Sequence, residues 1–383
     1  MLIVIFIDMV IYQGEIIMNH KISSKELFGV VVSLSCSLFS MFGTSLIINS
    51  GKNSTLLAIT IGFILGFIPL SLIIYVFNHL GNKNIFEYNK DKLKVLGCII
   101  NILICLPILY MGFIITWRTL QFTITNLLPE NSYYFVGLVL FSIIGYSITK
   151  GKEVIGRSNI ILTIILLFIL GFICIFLIPN VKIDNFLPIF NISKNNFIKS
   201  CLYFPVISVY PLISLLSIRP SDVVDKDNFK KCLIKGYSLT FIMIFIFYFL
   251  MISIYGSNFT SILSYPEYYL FKKINAFNFI QRVENICSIT YYIVSYGGIC
   301  YLIYFIKEAF SKTFNISKKW KQNIIIFLVA DLTPIVSVYL FKKYHINFLI
   351  NNYLKYTLPI LVFVLLESIL VVINKKINHK GID

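Results

Sequence analysis

The sequence predicts an all-α membrane protein of about ten transmembrane helices, arranged as two halves of five with opposite orientations and with interruptions in the first and sixth helices. Composition is the first reason, because 58% of the 383 residues are hydrophobic and 13% are charged, against about 45–50% and 25% in soluble domains. The second reason is a series of ten apolar segments. The third is the presence of helix-breaking residues in the middle of two of those segments.

The apolar segments have the length that a membrane crossing requires. A bilayer core about 30 Å thick needs about 20 apolar residues per helix, since every backbone polar group must be bonded within the segment. We number the ten segments span 1 to span 10 in chain order: 27–48, 54–77, 96–127, 133–148, 158–178, 197–218, 234–255, 279–306, 323–341 and 353–373. The two longest loops, 179–196 and 257–278, are expected to lie on the outer surface as short helices.

The distribution of basic residues predicts the orientation of the chain. The net charge is +16, and 22 of the 33 lysines and arginines lie in the termini and loops that share the side on which span 1 begins. Lysine and arginine accumulate on the cytoplasmic side of membrane proteins. Both termini of this multi-pass protein are therefore predicted to be cytoplasmic.

Composition also excludes several classes of function. The basic residues lie between apolar runs without any zinc-finger, RNA-binding or helix-turn-helix pattern, so nucleic acid is not an expected partner. The eight cysteines form no C-x-x-C pair, and the four histidines are scattered, so the sequence predicts no disulfide framework and no metal site. The short loops leave no room for a soluble catalytic domain. We therefore expect no enzyme activity and no cofactor.

Residues 1–17 differ from the rest of the chain. Residues 1–12 are apolar but too short to span a membrane, and they lack the basic start and the cleavage site of a signal peptide. We expect 1–17 to be a mis-annotated start or a disordered leader. A single transmembrane domain is then predicted over 18–383, with one repeat at about 27–179 and the second at about 197–373.

Spans 1 and 6 contain residues that interrupt helices. In span 1, small and hydroxyl-bearing residues surround Gly43, including Thr44 and Ser45. Span 6 contains Phe204-Pro205 and Tyr210-Pro211. A proline inside a helix removes a backbone hydrogen bond and clashes with the preceding turn. Unbonded backbone at membrane depth is tolerated only inside protein or beside a cavity.

The positions of these two interruptions suggest a function. Because five is an odd number, a second half of five spans is inverted relative to the first, and an interrupted span then begins each half. Transporters with inverted repeats bind polar ligands at such broken helices near the membrane centre, and Tyr203 and Tyr210 flank the break in span 6. The alternative is that Gly43 packs against a neighbouring helix and the prolines only kink span 6.

Five charged residues within spans or at their ends are candidates for a functional role, because a buried charge in a membrane costs about 3 kcal/mol and marks a partner or a pathway. They are Arg118 in span 3, Arg282 and Glu284 at the start of span 8, Asp331 in span 9 and Glu367 in span 10. Each also has a structural interpretation. Arg118 would extend to the interface beside Trp117, Arg282 and Glu284 would form an ion pair at the rim, and the two acidic residues in spans 9 and 10 would be hydrogen-bonded inside the bundle.

Several local patterns occur in order along the chain. They are Ile22-Ser23-Ser24-Lys25-Glu26-Leu27-Phe28, Gly43-Thr44-Ser45, Gly151-Lys152-Glu153-Val154-Ile155-Gly156-Arg157-Ser158, Asn185-Phe186-Leu187-Pro188-Ile189-Phe190, Tyr265-Pro266-Glu267 and Phe279-Ile280-Gln281-Arg282-Val283-Glu284-Asn285. Together, from residue 18 to nearly the end, they resemble the B-subunit spore germination permeases of endospore-forming bacteria. These proteins are a branch of the amino acid/polyamine/organocation transporter superfamily.

The resemblance implies a receptor subunit in the inner membrane of the spore. Such a subunit would recognise a nutrient germinant, often an amino acid, together with a larger A-type membrane subunit and a C-type lipoprotein. The implied substrate-binding residues are Gly43, Thr44, Ser45, Trp117, Tyr203, Tyr210 and Tyr292. Arg282 and Glu284 match the family's arginine-x-glutamate motif. Gln281 stands where an acidic residue is common, and Tyr292 stands where tryptophan is frequent.

Two functions remain open at this stage. In a receptor, ligand binding shifts the population of conformations and signals to the partner subunits. In an ordinary amino acid permease of the same superfamily, the same pocket would alternate its access and couple solute movement to an ion or a proton. Asp331 or Glu367 would then carry the proton. The fold alone does not distinguish the two functions.

Overall fold

The computed structural model describes residues 21–190, 192–224, 228–274, 284–343 and 352–380. In these ranges the regular structure is helical, apart from an isolated β-bridge between Ile22 and Val223. Eight helical stretches have the length and hydropathy of a membrane crossing, and Tyr133–Thr149 is a shorter apolar helix. The predicted all-α membrane fold is confirmed. The predicted leader, 1–17, lies outside the described residues.

Helices coincide with all ten predicted spans. In chain order they are α1 (Ser24–Leu38), α2 (Thr44–Gly51), α3 (Thr55–His79), α4 (Ile85–Leu93), α5 (Val95–Leu103), α6 (Cys105–Asn126), α7 (Tyr133–Thr149), α8 (Lys152–Leu177), α9 (Lys194–Ser208), α10 (Asn228–Tyr255), α11 (Ser257–Ile262), α12 (Pro266–Lys272), α13 (Asn285–Thr313), α14 (Lys319–Lys343) and α15 (Tyr353–Lys380). Span 1 contains α1 and α2, and span 3 contains α5 and α6. Spans 2 and 4 to 10 are α3, α7, α8, α9 with its continuation, α10, α13, α14 and α15.

The interruption of span 1 is a π-helical turn over Phe39–Gly43. The backbone N–H of Thr44 bonds the carbonyl of Phe39, five residues earlier, so the helix is widened rather than unwound. Gly43 lies against span 6, because a Cβ atom at this position would be 3.3 Å from the side chain of Ile207. Span 1 therefore shows both features that the sequence left open: Gly43 packs closely against a neighbouring helix, and the helix is locally interrupted. π-Helical turns of this kind are frequent at functional sites.

Span 6 changes its helical type at the second proline. The α-helical part ends at Ser208, and Tyr210–Ser217 continues as a tighter 3-10 helix. Pro211 cannot donate the backbone hydrogen bond that an α-helix requires at its position, and the N–H of Leu212 instead bonds the carbonyl of Val209 at 2.9 Å. Nearly every residue from Tyr203 to Ser217 is buried. Span 6 is therefore an interrupted helix inside the bundle, as predicted.

Some of the contacts between spans are those expected of two equivalent halves. Span 7 packs against span 1, and span 2 packs against span 6. Replacing each span by its counterpart in the other half turns the pair of spans 1 and 7 into the pair of spans 6 and 2. The remaining extensive pairs include span 4 with span 9 and span 3 with span 8, which map onto themselves in the same exchange. Span 1 also packs extensively against spans 5 and 8, and the corresponding contacts of span 6 with spans 10 and 3 are much less extensive. The inverted repeat therefore stays a prediction.

Equivalent glycines allow the two exchanged pairs to approach closely. A Cβ atom at Gly62 of span 2 would lie 2.6 Å from the carbonyl oxygen of Cys201 in span 6. A Cβ atom at Gly236 of span 7 would lie 2.6 Å from the side chain of Val31 in span 1. Small residues at helix contacts are a general means of packing in membranes. Here they hold the two interrupted spans in place.

Two capping boxes lie on the side of the bundle where span 1 begins, called here the N-terminal side. Ser23 and Glu26 cap α1, and Asn84 and Glu87 cap α4. In each box the two side chains bond backbone N–H groups that the first helical turn leaves without partners.

Ion pairs then join these caps to other parts of the bundle. The pairs are Glu87 with Arg219 and Lys312, Glu26 with Arg157, and Lys152 with Asp222. They connect spans 1, 5 and 8, α4 and the segment after span 6. These contacts join several elements on the N-terminal side of the bundle.

Candidate ligand-binding site

A cavity of about 60 Å³ lies between spans 1, 5, 7 and 8 and α12. Its lining side chains are Cys36, Phe39 and Thr44 of span 1, Leu166 and Ile169 of span 5, Met243, Ile244, Phe247 and Tyr248 of span 7, Glu267 of α12, and Thr290, Tyr291 and Val294 of span 8. A water-sized group needs about 10–15 Å³ of such space, so the cavity has room for a few of them. Most of the wall is apolar.

Glu267 forms the polar corner of this cavity. The hydroxyl of Thr44 donates a hydrogen bond to Oε1 of Glu267. The hydroxyl of Tyr291 donates to Oε2 at 3.0 Å. Thr44 and Tyr291 are both buried, whereas Glu267 is partly buried and lines the cavity. Two donors and one carboxylate therefore converge from three different elements.

The hydroxyl of Thr44 has two alternative acceptors, the carboxylate of Glu267 and the carbonyl oxygen of Phe39. The backbone N–H of Thr44 closes the π-helical turn onto the carbonyl of Phe39, and its hydroxyl lies 3.3 Å from that same carbonyl. A threonine hydroxyl carries only one proton. If a ligand took the place of Thr44 at Glu267, the hydroxyl of Thr44 would turn to Phe39. The carboxylate and the helix interruption are therefore directly connected.

Arg118 holds the segment that brings Glu267 into the bundle. Its guanidinium donates to the carbonyl oxygen of Ser264 and lies 4.5 Å from the ring centroid of Tyr265. Arg118 is itself buried, with 6% of its surface exposed. Phe122, one helical turn further along span 3, stacks on Tyr291 with ring centroids 4.3 Å apart. Span 3 thus fixes both α12 and the tyrosine that bonds Glu267.

The loop after span 7 forms short helices as predicted, α11 and α12, but α12 does not lie only on the surface, because one of its faces packs into the bundle. Pro266, Tyr268, Leu270 and Phe271 are buried against the bundle. The reason is the apolar face that these side chains form on a helix of seven residues. Burial of this face carries Glu267 inward with it.

The environment of Glu267 favours its neutral form in part. Burial raises the pKa of the Glu267 carboxyl above its ordinary value, and the hydrogen bonds from Thr44 and Tyr291 and the charge of Arg118 act in the opposite direction. A cationic group placed in the cavity would lower this raised pKa, because an opposite charge nearby favours the ionised carboxylate. The site is therefore suited to a ligand with a positive charge or strong hydrogen-bond donors.

Of the residues predicted around span 1, Thr44 lines the cavity. Gly43 packs between Phe39 and Ile207, and the hydroxyl of Ser45 bonds the carbonyl of Phe42 at 3.1 Å. These two residues shape the interruption beside the cavity without lining it.

The predicted aromatic residues lie in other contacts. Tyr203 and Tyr210 are buried in span 6 with exposed fractions of 6% and 7%. Trp117 stacks on Tyr133 with ring centroids 5.4 Å apart. The hydroxyl of Tyr292 is bonded to Thr123 at 2.8 Å, joining span 8 to span 3. None of these four predicted side chains lines the described cavity.

The charged residues singled out in spans 8, 9 and 10, where the structure describes them, do not line the cavity. Glu284 precedes α13 and is partly buried, whereas Arg282 lies outside the described residues. Asp331 accepts a hydrogen bond from Ser142 at 3.4 Å. Glu367 is fully buried in span 10 and accepts a hydrogen bond from Nδ2 of Asn89 at 2.6 Å.

The sequence does not indicate that Glu267 and Tyr291 belong to one site. The Tyr265-Pro266-Glu267 pattern was visible only as part of the family resemblance, and Tyr291 was one of many tyrosines within spans. A glutamate next to apolar residues in a loop, one helical turn before buried aromatics, was the available signal. Its proximity to Thr44 depends on the packing of α12.

Metal and disulfide chemistry have little basis in the described part of the chain. No group of three His, Cys, Asp or Glu side chains gathers there at one point. All eight cysteines are free thiols, and six of them are buried.

The eight helical stretches long and apolar enough to cross a bilayer are those of an integral membrane protein. The chain belongs to the Spore_permease family, described as spore germination proteins, whose sequence model matches residues 21–346. The resemblance predicted from the local patterns is thereby confirmed. A comparison with curated proteins found no match.

Proposed function

We propose that this protein is the permease-like subunit of a nutrient germinant receptor and that the cavity beside Glu267 binds a small molecule with a cationic amino group. The observation that carries the proposal is the convergence of Thr44, Tyr291 and Glu267 at one corner of an apolar cavity. The carboxylate would bind the amino group, and the apolar wall would accommodate a short side chain. A small amino acid has this chemistry.

The position of Thr44 supports a signalling role. Ligand binding at Glu267 would compete with the hydroxyl of Thr44 and release it toward the carbonyl of Phe39, 3.3 Å away. The π-helical turn of span 1 would then adopt a different population of conformations, which is the requirement for a ligand-driven switch. The ion pairs on the N-terminal side would hold that side closed meanwhile.

The proposed orientation places the N-terminal side in the cytoplasm, because most basic residues lie there. The end of the bundle that carries α12 would then face outward, and a nutrient would approach Glu267 from outside the inner membrane of the spore. The larger A-type membrane subunit and the C-type lipoprotein of the receptor would receive the signal.

The proposal is tested by binding to the purified protein in detergent. Small neutral amino acids such as alanine are compared with the matching carboxylic acids that lack the amino group. Wild type should bind the amino acids and not the acids, and Glu267→Gln should weaken binding by about tenfold or more, which corresponds to about 1.4 kcal/mol. The matched control is Glu130→Gln, since Glu130 is exposed in the loop between spans 3 and 4.

Two results would count against this proposal. Equal amino acid affinity of Glu267→Gln and wild type would remove Glu267 from the site. Uptake of an amino acid by vesicles that contain only this protein would indicate an ordinary permease instead of a receptor subunit.

A further inference from the structure

Spans 4 and 9 form a joined pair at the edge of the bundle. Gly137 of span 4 lies against Pro334 of span 9, and Gly145 lies against Phe327 and Ala330, so the two helices are in close contact. Their outer faces form one continuous surface. We call the exposed face of spans 4 and 9 the 4/9 surface.

The 4/9 surface is apolar except near its middle. In span 9, Leu328, Leu332 and Ile335 are 55%, 51% and 39% exposed, whereas Ala330 on the other face is 0% exposed. Asp331 lies between these exposed residues at helical spacing and is itself partly exposed. Its side chain accepts a hydrogen bond from the exposed Ser142 of span 4. An acidic side chain therefore stands in the middle of a surface that otherwise fits lipid.

Asp331 lies at the centre of its membrane crossing. The candidate span runs from Lys319 to Lys342, so Asp331 is at least eleven residues from either end. At 1.5 Å per residue this is about 17 Å, half the thickness of a bilayer or more. Acidic residues at this depth are rare, costly to insert, and normally face protein or a water-filled cavity.

The bond from Ser142 satisfies only a small part of what an aspartate can accept. An ionised carboxylate has about four acceptor positions, and the hydroxyl of Ser142 occupies one of them at 3.4 Å. Lipid tails donate no hydrogen bonds. A chain that covers this surface therefore has to bring donors to mid-bilayer depth, and a basic side chain would also compensate the charge.

A second copy of this chain does not supply such a group from its described spans. Arg118 and Lys235 are the deepest basic residues there, and they lie eight and seven residues from the nearest helix end. Arg118 is also covered, because it is bonded to Ser264 and lies over Tyr265. A symmetric contact of two 4/9 surfaces would place one Asp331 against another. The charge pattern thus favours a different polypeptide.

We propose that the 4/9 surface docks a transmembrane helix of a different membrane subunit that carries a lysine or arginine at mid-bilayer depth opposite Asp331. This inference rests on the proposed function, in which the large membrane subunit of the receptor is available to supply that helix. Association through a polar group in the membrane also fixes depth and register, because the pair forms only when both residues are at the same level.

Site-directed photo-crosslinking in spore membranes that contain the full receptor tests the inference. The photoreactive amino acid p-benzoylphenylalanine is introduced at Leu332, next to Asp331, or at Phe168 of span 5, which is 76% exposed on a different face. The probe at Leu332 should crosslink to the large membrane subunit, and the probe at Phe168 should not. Adding Asp331→Leu should reduce the crosslink by about tenfold, the effect of about 1.4 kcal/mol, and Asp331→Asn should reduce it less.

Several outcomes would overturn the inference. Crosslinks from Leu332 only to lipid or only to a second copy would do so, as would equal crosslinking from both probe positions. An unchanged crosslink in the Asp331→Leu background would remove Asp331 from the contact. Amino acid binding by purified Asp331→Leu protein gives the separate control, because it should equal that of wild type. If the wild-type protein does not bind amino acids, the proposed function is contradicted, but the crosslinking result still stands.

Discussion

At the scale of single residues, the side chains that matter most are polar groups whose partners come from distant parts of the chain. Glu267 is bonded by Thr44 and Tyr291, and Glu367 is bonded by Asn89. A buried polar group that loses its partner costs about 1–3 kcal/mol. These residues therefore connect the stability of the bundle to its candidate function.

Glu367 gives a prediction that separates hydrogen bonding from packing. Nδ2 of Asn89 donates to Oε1 of Glu367, while Oε2 of Glu367 and Oδ1 of Asn89 are buried with no hydrogen-bond partner among the described residues. A glutamine at position 367 can accept from Nδ2 and donate to Oδ1 of Asn89. Glu367→Gln should therefore melt in detergent at the same temperature as wild type or higher.

Leucine at the same position is the comparison. Nδ2 of Asn89 also donates to Oδ1 of Asn101, so Glu367→Leu removes one of its two acceptors and should cost about 1–3 kcal/mol of unfolding free energy. Equal destabilisation by glutamine and leucine would show that the hydrogen-bonding pattern around Asn89 is not what holds α4 against span 10.

At the scale of elements, α4 shows how a short helix is fixed on the N-terminal side. Glu87 caps its first turn and also accepts hydrogen bonds from Arg219 and Lys312. Burial raises the pKa of Glu87, but these hydrogen bonds outweigh burial and bring the pKa down to about 2. Because the folded pKa is below the unfolded value, the ionised carboxylate stabilises the fold above pH 4.5 or so. This contribution is lost as the pH falls toward 2.

Glu87→Gln keeps the capping box, since glutamine serves equally at this position, but it removes the charge. The variant should be less stable than wild type at pH 7 by about 1 kcal/mol, and the difference should shrink as the pH falls from about 4.5 toward 2. The control is Asp91→Asn on the same helix, whose pair with Lys83 is half exposed. A difference between wild type and Glu87→Gln that does not change with pH would contradict the argument.

Elements also show what the sequence predicts well and what it does not. Apolar runs located all ten spans because lipid imposes length and composition on each of them. The change of helix type in span 6 was predictable because Pro211 cannot remain in an α-helix. The small residues around Gly43 predicted an interruption of span 1, but nothing in the sequence indicated that it takes the form of a π-helical turn. Glu267 was missed because the inward packing of α12 depends on tertiary contacts and leaves no apolar run of spanning length.

At the scale of the whole molecule, the two halves are related in their contacts but differ in what they surround. Spans 1 with 7 and 6 with 2 pack in equivalent ways. The cavity, however, lies beside the π-helical turn of span 1, and span 6 contributes none of its described lining. Ion pairs join elements on the N-terminal side, and Arg118 bonds Ser264 just before α12, the helix that contributes Glu267 to the cavity lining. In the proposed function, a ligand that displaces Thr44 from Glu267 would therefore act on span 1 and not on span 6.

The most direct test of the account is a structure of the receptor with a bound small amino acid, determined in lipid. We expect the ligand in the cavity between spans 1, 5, 7 and 8, with its amino nitrogen about 3 Å from a carboxylate oxygen of Glu267. We also expect the hydroxyl of Thr44 to be turned toward Phe39. A ligand seated between Tyr203 and Tyr210 in span 6, with Thr44 still bonded to Glu267, would contradict the account.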